Sequence, residues 1–248
     1  MPLMTTALAL LLFFANAANS LQSMHLPDQT QQVLLVVAPS WTSTTGTLTM
    51  FQKSHGKWAA VGPEIPVALG RNGLAWGAGS RRDTKDGPVK VEGDGKAPAG
   101  IFKLGPAFGY EPHPPEASKF SYRQATAADF WVSDPSSPQY NQWVTLQQGV
   151  DPHTQWTSFE NMKRPDHLYS LGMVVQYNTD PVLKDGGSAI FLHIWRAPGS
   201  PTAGCTAMDE QNLLALLKWL DPASSPLLIQ IPSSELEKVS SQALKASQ

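Results

Sequence analysis

The chain has 248 residues and a near-neutral balance of 18 basic and 20 acidic side chains. Charged residues make up only 15% of it and form no lysine or arginine stripe, which argues against a nucleic-acid partner because phosphate binding requires clustered cations. Hydrophobic residues amount to 42%, enough for one domain with a sizeable core.

The N-terminus carries a short apolar segment. Residues 8–14 are all apolar and are followed by Ala15-Asn16-Ala17, a small-residue pattern typical of a secretory cleavage site. We therefore predict a signal peptide over residues 1–17, with a buried N-terminal helix as the alternative because no basic residue precedes the segment. The segment is too short to cross a bilayer as a helix. We expect an exported protein with no membrane span after cleavage, located in the periplasm, cell wall or extracellular space.

The rest of the sequence is typical of a mainly β protein, since 21 prolines and 19 glycines divide it into short segments. The first two strands form a hairpin around a Ser/Thr/Gly turn, and a segment with four prolines, 105–118, is predicted as a long surface loop. The predicted strands are 33–38, 47–53, 57–69, 89–92, 101–104, 130–132, 143–146, 173–177, 189–195 and 227–231.

A helix is predicted after position 205. Leucines recur there at helical spacing, at positions 213, 216, 217 and 220, Asp209 can cap the start, and Asp221-Pro222 ends the pattern. From residue 233 onward the sequence is polar, and we expect a loose or weakly helical tail over residues 233–248. The strands and the helix together predict one domain over residues 24–232.

Cys205 is the only cysteine, so no internal disulfide can form. It follows Gly204 and lies twelve positions after His193, which ends an apolar segment. A thiol with an ordinary pKa near 8.5 is only a few per cent thiolate at neutral pH, so a nucleophilic cysteine needs a base, and His193 can supply one. Gly204 leaves room for a carbonyl oxygen to approach backbone N–H groups. The competing interpretation is a small buried cysteine and a satisfied core histidine.

Other common sites are not indicated by the sequence. No two histidines have the spacing of metal ligands, so we predict no metal site. The sequence also contains no G-x-S-x-G elbow, Walker loop or dinucleotide-binding fingerprint. Serine hydrolase, nucleoside triphosphatase and dehydrogenase functions are therefore unsupported.

Several segments carry a family resemblance. Ile190-Phe191-Leu192-His193 followed by Thr202-Ala203-Gly204-Cys205 resembles the His and [Ser/Thr]-x-Gly-Cys signature of the L,D-transpeptidase catalytic domain, also called the YkuD-type domain. Residues 93–102, which read G-D-G-K-A-P-A-G-I-F, are similar to its T-P-x-G-x-F stretch. Residues 134–141 and Tyr177-Asn178 resemble further marks of the exported bacterial members. The resemblance spans residues 33–232.

The resemblance implies a β-rich, sandwich-like domain that acts on peptidoglycan stem peptides, in cell wall organisation and cell shape, without a metal or organic cofactor. Cys205 would attack the carbonyl before the terminal D-alanine of a tetrapeptide stem, and an amine of a neighbouring stem would take the acyl group from the thioester. His193 would act as base and acid, oriented by the carbonyl of Ile194. Backbone N–H groups at Gly204 and Cys205 would bind the oxyanion. Tyr177 and Thr202 would contact the substrate or the oxyanion.

Two positions depart from the family pattern. Ala203 and Ala207 stand where many members carry a histidine and a polar or basic residue, so that substrate contact is either missing or supplied by Arg196, Lys90 or Lys96. The acyl acceptor is consequently open, and with water as acceptor the protein would be an L,D-carboxypeptidase. Two further functions are compatible with the sequence: a non-catalytic peptidoglycan- or glycan-binding module, suggested by eight tryptophans, and an unrelated cysteine hydrolase.

Overall fold

The structure is a computed structural model that describes residues 16–77 and 87–238. Strands dominate it, which confirms the predicted mainly β fold. Helix α1 (Glu210–Trp219) lies between the last two strands. The strands of these residues are β1 (Gln32–Ala38), β2 (Thr45–Ser54), β3 (Lys57–Ala68), β4 (Leu74–Trp76), β5 (Ala97–Gly109), β6 (Tyr122–Gln124), β7 (Asp129–Val132), β8 (Trp143–Thr145), β9 (Phe159–Asn161), β10 (Leu171–Gln176), β11 (Phe191–Ile194), β12 (Thr206–Met208) and β13 (Leu227–Pro232).

The large sheet closes on itself. Its ten strands follow the order β10-β11-β12-β3-β2-β1-β13-β5-β4, with β6 beside β5. Because β10 pairs with β5 as well as with β11, the strands from β10 to β5 form a ring. A closed sheet has no free edge along the ring, so the backbone groups of β11 and β12 are paired on both sides. This pairing holds the predicted catalytic segments on a rigid part of the fold.

The two faces of the sheet pack into different clusters. Leu34 and Val36 of β1 belong to the largest cluster of buried apolar side chains, which also receives the leucines of α1. Their neighbours Val33 and Leu35 point to the opposite face, as the two-residue period of a strand requires. There they pack against Leu21 of the N-terminal helical segment. Both faces of β1 are therefore buried, which explains its continuous apolar sequence.

A second, three-stranded sheet has the order β8-β7-β9. An aromatic cluster joins it to the large sheet, because Trp131 of β7 packs edge-on against Phe191 of β11, with ring centroids 5.0 Å apart. Phe108 of β5 contacts the same Phe191 ring at 5.4 Å. The cluster also contains Cys205. The small sheet thus lies beside the strand that carries His193.

Most predicted strands are present, and one is wrong. Residues 89–92 form no strand, and only an isolated bridge links Val89 to Trp76. Strand β5 is longer than predicted and occupies the first part of the predicted loop 105–118. The register between β5 and β10 shifts between Met173 and Val175. The resulting bulge accommodates Pro106, which has no N–H to contribute to the ladder.

Four short strands were not predicted. Each of β4, β6, β9 and β12 has three residues, too few for a two-residue period to emerge from the sequence. Strand β12 begins directly after Cys205, so this omission matters for the site.

Helix α1 matches its prediction. The side chain of Asp209 accepts a hydrogen bond from the backbone N–H of Gln211 at 2.9 Å, which caps the start of the helix. The predicted leucines Leu213, Leu216 and Leu217 are buried.

Both ends of the described chain are helical. Residues 16–23 form a helical segment in which Ala17 and Leu21 are buried, and residues 233–238 form another. Residues 1–15, with most of the predicted signal peptide, and 239–248 of the predicted tail lie outside the described residues. The cleavage site and the domain bounds 24–232 therefore stay predictions. No helix within residues 16–77 and 87–238 has the length and apolar character needed to span a bilayer.

Candidate active site

Cys205 and His193 lie on the same face of two neighbouring strands. Strands β11 and β12 run parallel, with Leu192 beside Thr206 and His193 beside Ala207. In-register residues of parallel strands share a face, and residues two apart along one strand also share it. The side chains of Cys205, Ala207 and His193 therefore point to the same side. The small Ala207 keeps the space beside the imidazole open.

The loop before Cys205 is held by Thr202. The Thr202 hydroxyl accepts a hydrogen bond from the backbone N–H of Gly204 at 3.1 Å and donates to the carbonyl of Cys205 at 2.7 Å. Its backbone is tied to the end of β3 through a bond from Thr202 N to Leu69 O at 2.8 Å. Thr202 thus shapes the turn, and the Gly204 N–H predicted for the oxyanion is engaged by Thr202 in this resting arrangement.

Gly204 occupies a position that tolerates no side chain. Its φ is 155°, and a Cβ placed there would lie 3.0 Å from the carbonyl oxygen of Lys96. The Lys96 carbonyl therefore lies close to the loop before Cys205, and the positive φ of Gly204 favours glycine.

The thiol of Cys205 is buried, with 6% of the residue exposed. Its sulfur lies 3.3 Å from the backbone N of Phe191, which donates to it, and 3.3 Å from the carbonyl oxygen of Ala189, to which the thiol donates. Burial raises the pKa of the thiol to about 12, although the Phe191 bond and the charges of Lys90 and Arg164 act in the opposite direction. The resting thiol is therefore neutral and directed toward Ala189 rather than His193.

The imidazole of His193 is equally buried and neutral. Burial lowers its pKa to about 4, and the hydrogen bond to the Ile194 carbonyl opposes this shift only in part. Nδ1 lies 2.8 Å from the Ile194 carbonyl oxygen, which can only accept, so Nδ1 carries the proton and Nε2 is an acceptor. The ring of Tyr169 packs edge-on against the imidazole at 5.2 Å. Two neighbours thus hold the imidazole in place, with Nε2 as the nitrogen that can accept a proton.

Both residues line one cleft of about 610 Å³. Strands β11 and β12 and the residues just before them form its floor. We call one part of the lining the loop wall: Arg71, Lys90, Glu92, Gly93 and residues 200–204. We call another part the strand wall: residues 158–160, Arg164, Leu168 and Tyr169.

The loop wall contains a buried cation. Lys90 donates to Asp94 at 2.8 Å, and its side chain is only 4% exposed. Glu92 accepts a hydrogen bond from the hydroxyl of Tyr140 at 2.5 Å. Arg71 is exposed and forms no ion pair with another described residue. Asp94 and Glu92 therefore balance the two cations of this wall, and only the guanidinium of Arg71 is both exposed and free of an ion pair with a described residue.

The strand wall carries paired charges. Arg164 makes two bonds to the Asp166 carboxylate, at 2.9 and 3.0 Å, and contacts Glu160 at 3.5 Å. The same guanidinium lies over the ring of Tyr169, 5.1 Å from its centroid. Burial, with a smaller contribution from Glu92, raises the pKa of Glu160, and Arg164 opposes that shift. A chain of contacts thus runs from Asp166 through Arg164 and Tyr169 to His193.

The remaining predicted site residues separate into two groups. Arg196 lines the cleft and is exposed. Lys96 lies outside the lining and donates from Nζ to the carbonyl of Asn72 at 2.6 Å. Tyr177 is also outside it, buried beside Phe102 with its hydroxyl donating to the Gly186 carbonyl. Direct substrate contacts from Lys96 and Tyr177 do not fit these positions.

The Tyr140-Asn141 part of the predicted motif supports the floor of the cleft. Asn141 donates to the carbonyls of Tyr177 and Asn178 at 2.9 and 2.7 Å and accepts from the N–H of Ala189 at 3.2 Å. The Tyr140 hydroxyl accepts from the N–H of Gly187 at 3.0 Å. These bonds hold residues 186–189, and thereby the carbonyl that receives the Cys205 thiol.

The sequence did not indicate the strand wall. Glu160, Arg164 and Tyr169 have no motif spacing to each other or to Cys205, and they reach the cleft through the pairing of β9 with β7.

Over the described residues, no three His, Cys, Asp or Glu side chains converge in a manner suited to a metal ion.

Fold and site together define a closed, mainly β domain with a Cys–His pair at the floor of a basic cleft. A model of the L,D-transpeptidase catalytic domain, YkuD, matches residues 41–229. Because this match spans most of the sequence, the chain belongs to that family.

Other comparisons are more distant. No curated protein matches the chain. Two crystal structures of the helical cell shape determining protein Pgp2 from Campylobacter jejuni, one of them of a point mutant, are similar at 15% identity, with TM-scores of 0.39 and 0.40. They cover 87% and 90% of this chain, which spans only 55% and 56% of theirs. At this identity and TM-score the likeness says nothing about activity.

Proposed function

We propose that this protein is a peptidoglycan L,D-transpeptidase that transfers the acyl group of a tetrapeptide stem through a thioester on Cys205. One observation carries the proposal. Cys205 and His193 share one face of adjoining parallel strands at the floor of one cleft, and the imidazole is held with Nε2 as its free acceptor. A buried nucleophile beside an oriented base is the arrangement that acyl transfer requires.

The neutral state of both groups shapes the mechanism. With the pKa of the thiol at about 12 and that of the imidazole at about 4, no resting ion pair forms near neutral pH. Sγ turns from Ala189 toward the substrate and bonds to the carbonyl carbon as its proton passes to His193 Nε2. The same proton then goes to the nitrogen of the departing D-alanine, and a thioester remains. An incoming amine reverses these steps on the thioester.

The charges of the cleft support an anionic substrate. Four cations, Arg71, Lys90, Arg164 and Arg196, line it against the carboxylates of Glu92 and Glu160. Stem peptides carry free carboxylates, and an excess of cations over carboxylates in the lining favours ligands of negative charge. Arg71 and Arg196 are exposed, so they are available to an arriving stem.

A purely glycan-binding role has less support. All eight tryptophans lie in the described residues, and each is buried or partly buried. Trp131, Trp143 and Trp156 pack edge-on or tilted against other aromatic rings. Stacking on a sugar requires an exposed ring face.

We also infer that the protein is exported and acts in the periplasm or cell wall, which its proposed substrate requires.

Intact-mass spectrometry tests the proposal. Incubation of the protein with a tetrapeptide stem, or with a carbapenem as an acylating agent, is expected to give a covalent adduct on the wild type and none on Cys205→Ser. Thermal melts of both proteins establish that the serine variant is folded. An unmodified wild-type mass with both reagents would contradict the proposal.

The same reaction resolves the acceptor. Product analysis with an added stem amine is expected to yield the cross-linked peptide. Tripeptide alone, with no transfer at any amine concentration, would instead assign the L,D-carboxypeptidase activity.

A further inference from the structure

Lys90 is a buried cation with unused hydrogen-bonding capacity. An ammonium group has three protons, and in the part of the chain that the structure describes the acceptor of Nζ is Asp94, at 2.8 Å. The side chain is 4% exposed and lines the cleft. Two donors are therefore left over inside a partly dehydrated site, where an additional anionic acceptor would be bound strongly.

Gly187 makes room for this side chain, and Gly204 lies within van der Waals range of its ammonium group. A Cβ at Gly187 would lie 2.8 Å from Cε of Lys90, and one at Gly204 would lie 3.8 Å from Nζ. Gly204 directly precedes the nucleophile. The ammonium group consequently reaches the Cys205 loop, and the loop backbone leaves it accessible from the cleft.

A structural salt bridge alone accounts poorly for this arrangement. The Asp94 carboxylate also accepts the backbone N–H groups of Val91 at 3.0 Å and Lys96 at 2.8 Å, which already hold the turn. Withdrawing an ammonium group from water is costly, so a buried ion pair by itself is weak evidence for stabilisation. A ligand that accepts hydrogen bonds from the two remaining N–H groups of Lys90 would explain why this ammonium group is buried.

The other cations of the cleft are differently placed. Arg164 is committed to Asp166 through two bonds, and Arg71 and Arg196 are exposed. Lys90 is the cation found both buried and in contact range of the Gly204 position. It is therefore suited to an anion held close to the reacting carbonyl.

We propose that Lys90 binds the terminal carboxylate of the acyl donor and so restricts the enzyme to stems with one residue, ending in a free carboxylate, beyond the scissile bond. The assignment rests on the proposed function. Three bonds separate the scissile carbonyl carbon from the carboxyl carbon of a single following residue, a span of at most about 4 Å. A carboxylate that belongs to a longer leaving group would lie beyond the ammonium group.

The test compares two donors, a tetrapeptide stem with a free terminal carboxylate and the same stem with a terminal amide. Release of D-alanine or of D-alaninamide is measured by mass spectrometry, and kcat/KM is obtained for each. The wild type is expected to favour the acid about 10- to 100-fold, the range typical of a charge-assisted hydrogen bond. Lys90→Met is expected to lose this preference because kcat/KM falls for the acid only. The kcat/KM for the amide should stay within about three-fold of wild type.

Two control variants separate the proposal from a structural role. Asp94→Asn removes the partner of Lys90 but keeps the cation, so the acid preference should persist even where stability falls. Lys103→Met removes an exposed lysine of β5 and should leave kcat/KM unchanged for both donors. The assignment would be overturned if kcat/KM fell equally for both donors in Lys90→Met, or if Asp94→Asn no longer favoured the acid.

The wild-type protein provides an independent check that does not depend on the folding of any variant. Equal turnover of acid and amide by the wild type would overturn the role of Lys90 and leave the proposed function standing. Absence of a Cys205 adduct with either donor would overturn the proposed function itself, and the two failures are thus distinguishable.

Discussion

The two walls of the cleft differ in secondary structure and in how deeply their cations are buried. The loop wall consists of backbone turns that include Gly93 and Gly204, and one of its two cations, Lys90, is buried. The strand wall is formed around the small three-stranded sheet, and its cation, Arg164, is part of a partly exposed ion-pair network. Both walls meet the same floor.

This difference indicates a division of labour. The loop wall adjoins Cys205 through Gly204, whereas the strand wall contacts His193 through the ring of Tyr169. Changes in the first should affect the position of Cys205 and its substrate. Changes in the second should affect the protonation of His193, at long range and more weakly.

The largest effect is expected from removal of the imidazole that the strand wall contacts. His193→Ala should slow acylation of Cys205 by about two to four orders of magnitude near neutral pH, because the neutral thiol then has no base. Stopped-flow measurement of carbapenem acylation gives the rate. His167→Ala, an exposed histidine outside the cleft lining, is the matched control and should stay within about two-fold of wild type. A rate for His193→Ala within a few-fold of wild type would remove His193 from the mechanism.

A smaller effect is expected when the loop wall is distorted. Gly204→Ala should slow acylation about ten-fold or more and lower the free energy of unfolding by about 1–3 kcal/mol, since its Cβ would press on the Lys96 carbonyl. Urea denaturation and the acylation assay report the two effects. Gly149→Ala, at a φ of 86° with no atom within 4 Å of the new Cβ, isolates the cost of backbone conformation. Wild-type kinetics in Gly204→Ala would show that the loop wall is not rigid.

The smallest effect concerns the strand wall. Between about pH 5 and 9 the wild-type acylation rate should be nearly flat, because the pKa of His193 is about 4 and that of Cys205 is about 12. Below that range the rate should fall as His193 gains a proton and ceases to accept one. Arg164 lowers the pKa of His193 and Asp166 raises it, so Arg164→Gln should move this acid limb to higher pH.

The readout is the pH dependence of carbapenem acylation on folded protein. At pH 7 Arg164→Gln should remain within about two-fold of wild type. An acid limb that stays in place, or moves to lower pH, would show that the strand wall does not reach the base electrostatically.

Local sequence patterns were sufficient to predict the helix and most strands that are long enough to show a regular repeat of apolar residues. They also indicated Cys205 and His193, because these residues are close in sequence. The family resemblance added the Ile194 carbonyl, which lies 2.8 Å from Nδ1 of His193 in the structure. A motif does not reveal which face of a segment meets the cleft, so the sequence could not show that Tyr177 and Lys96 lie outside the cleft lining. Arg164 and Tyr169 carried no signal, because they approach His193 through pairings between strands distant in the chain.

The sequence by itself determined the mainly β fold, the capped helix after the cysteine, and the pair of side chains on which the proposed chemistry depends. These follow from local periodicity and from short spacing, which act over a few residues. Only the tertiary structure decided that the thiol and the imidazole are both buried and neutral, that Thr202 engages Gly204, and that Lys90 reaches the nucleophile loop. Burial and charge at a site depend on what packs around it, and that packing is set by contacts far apart in sequence.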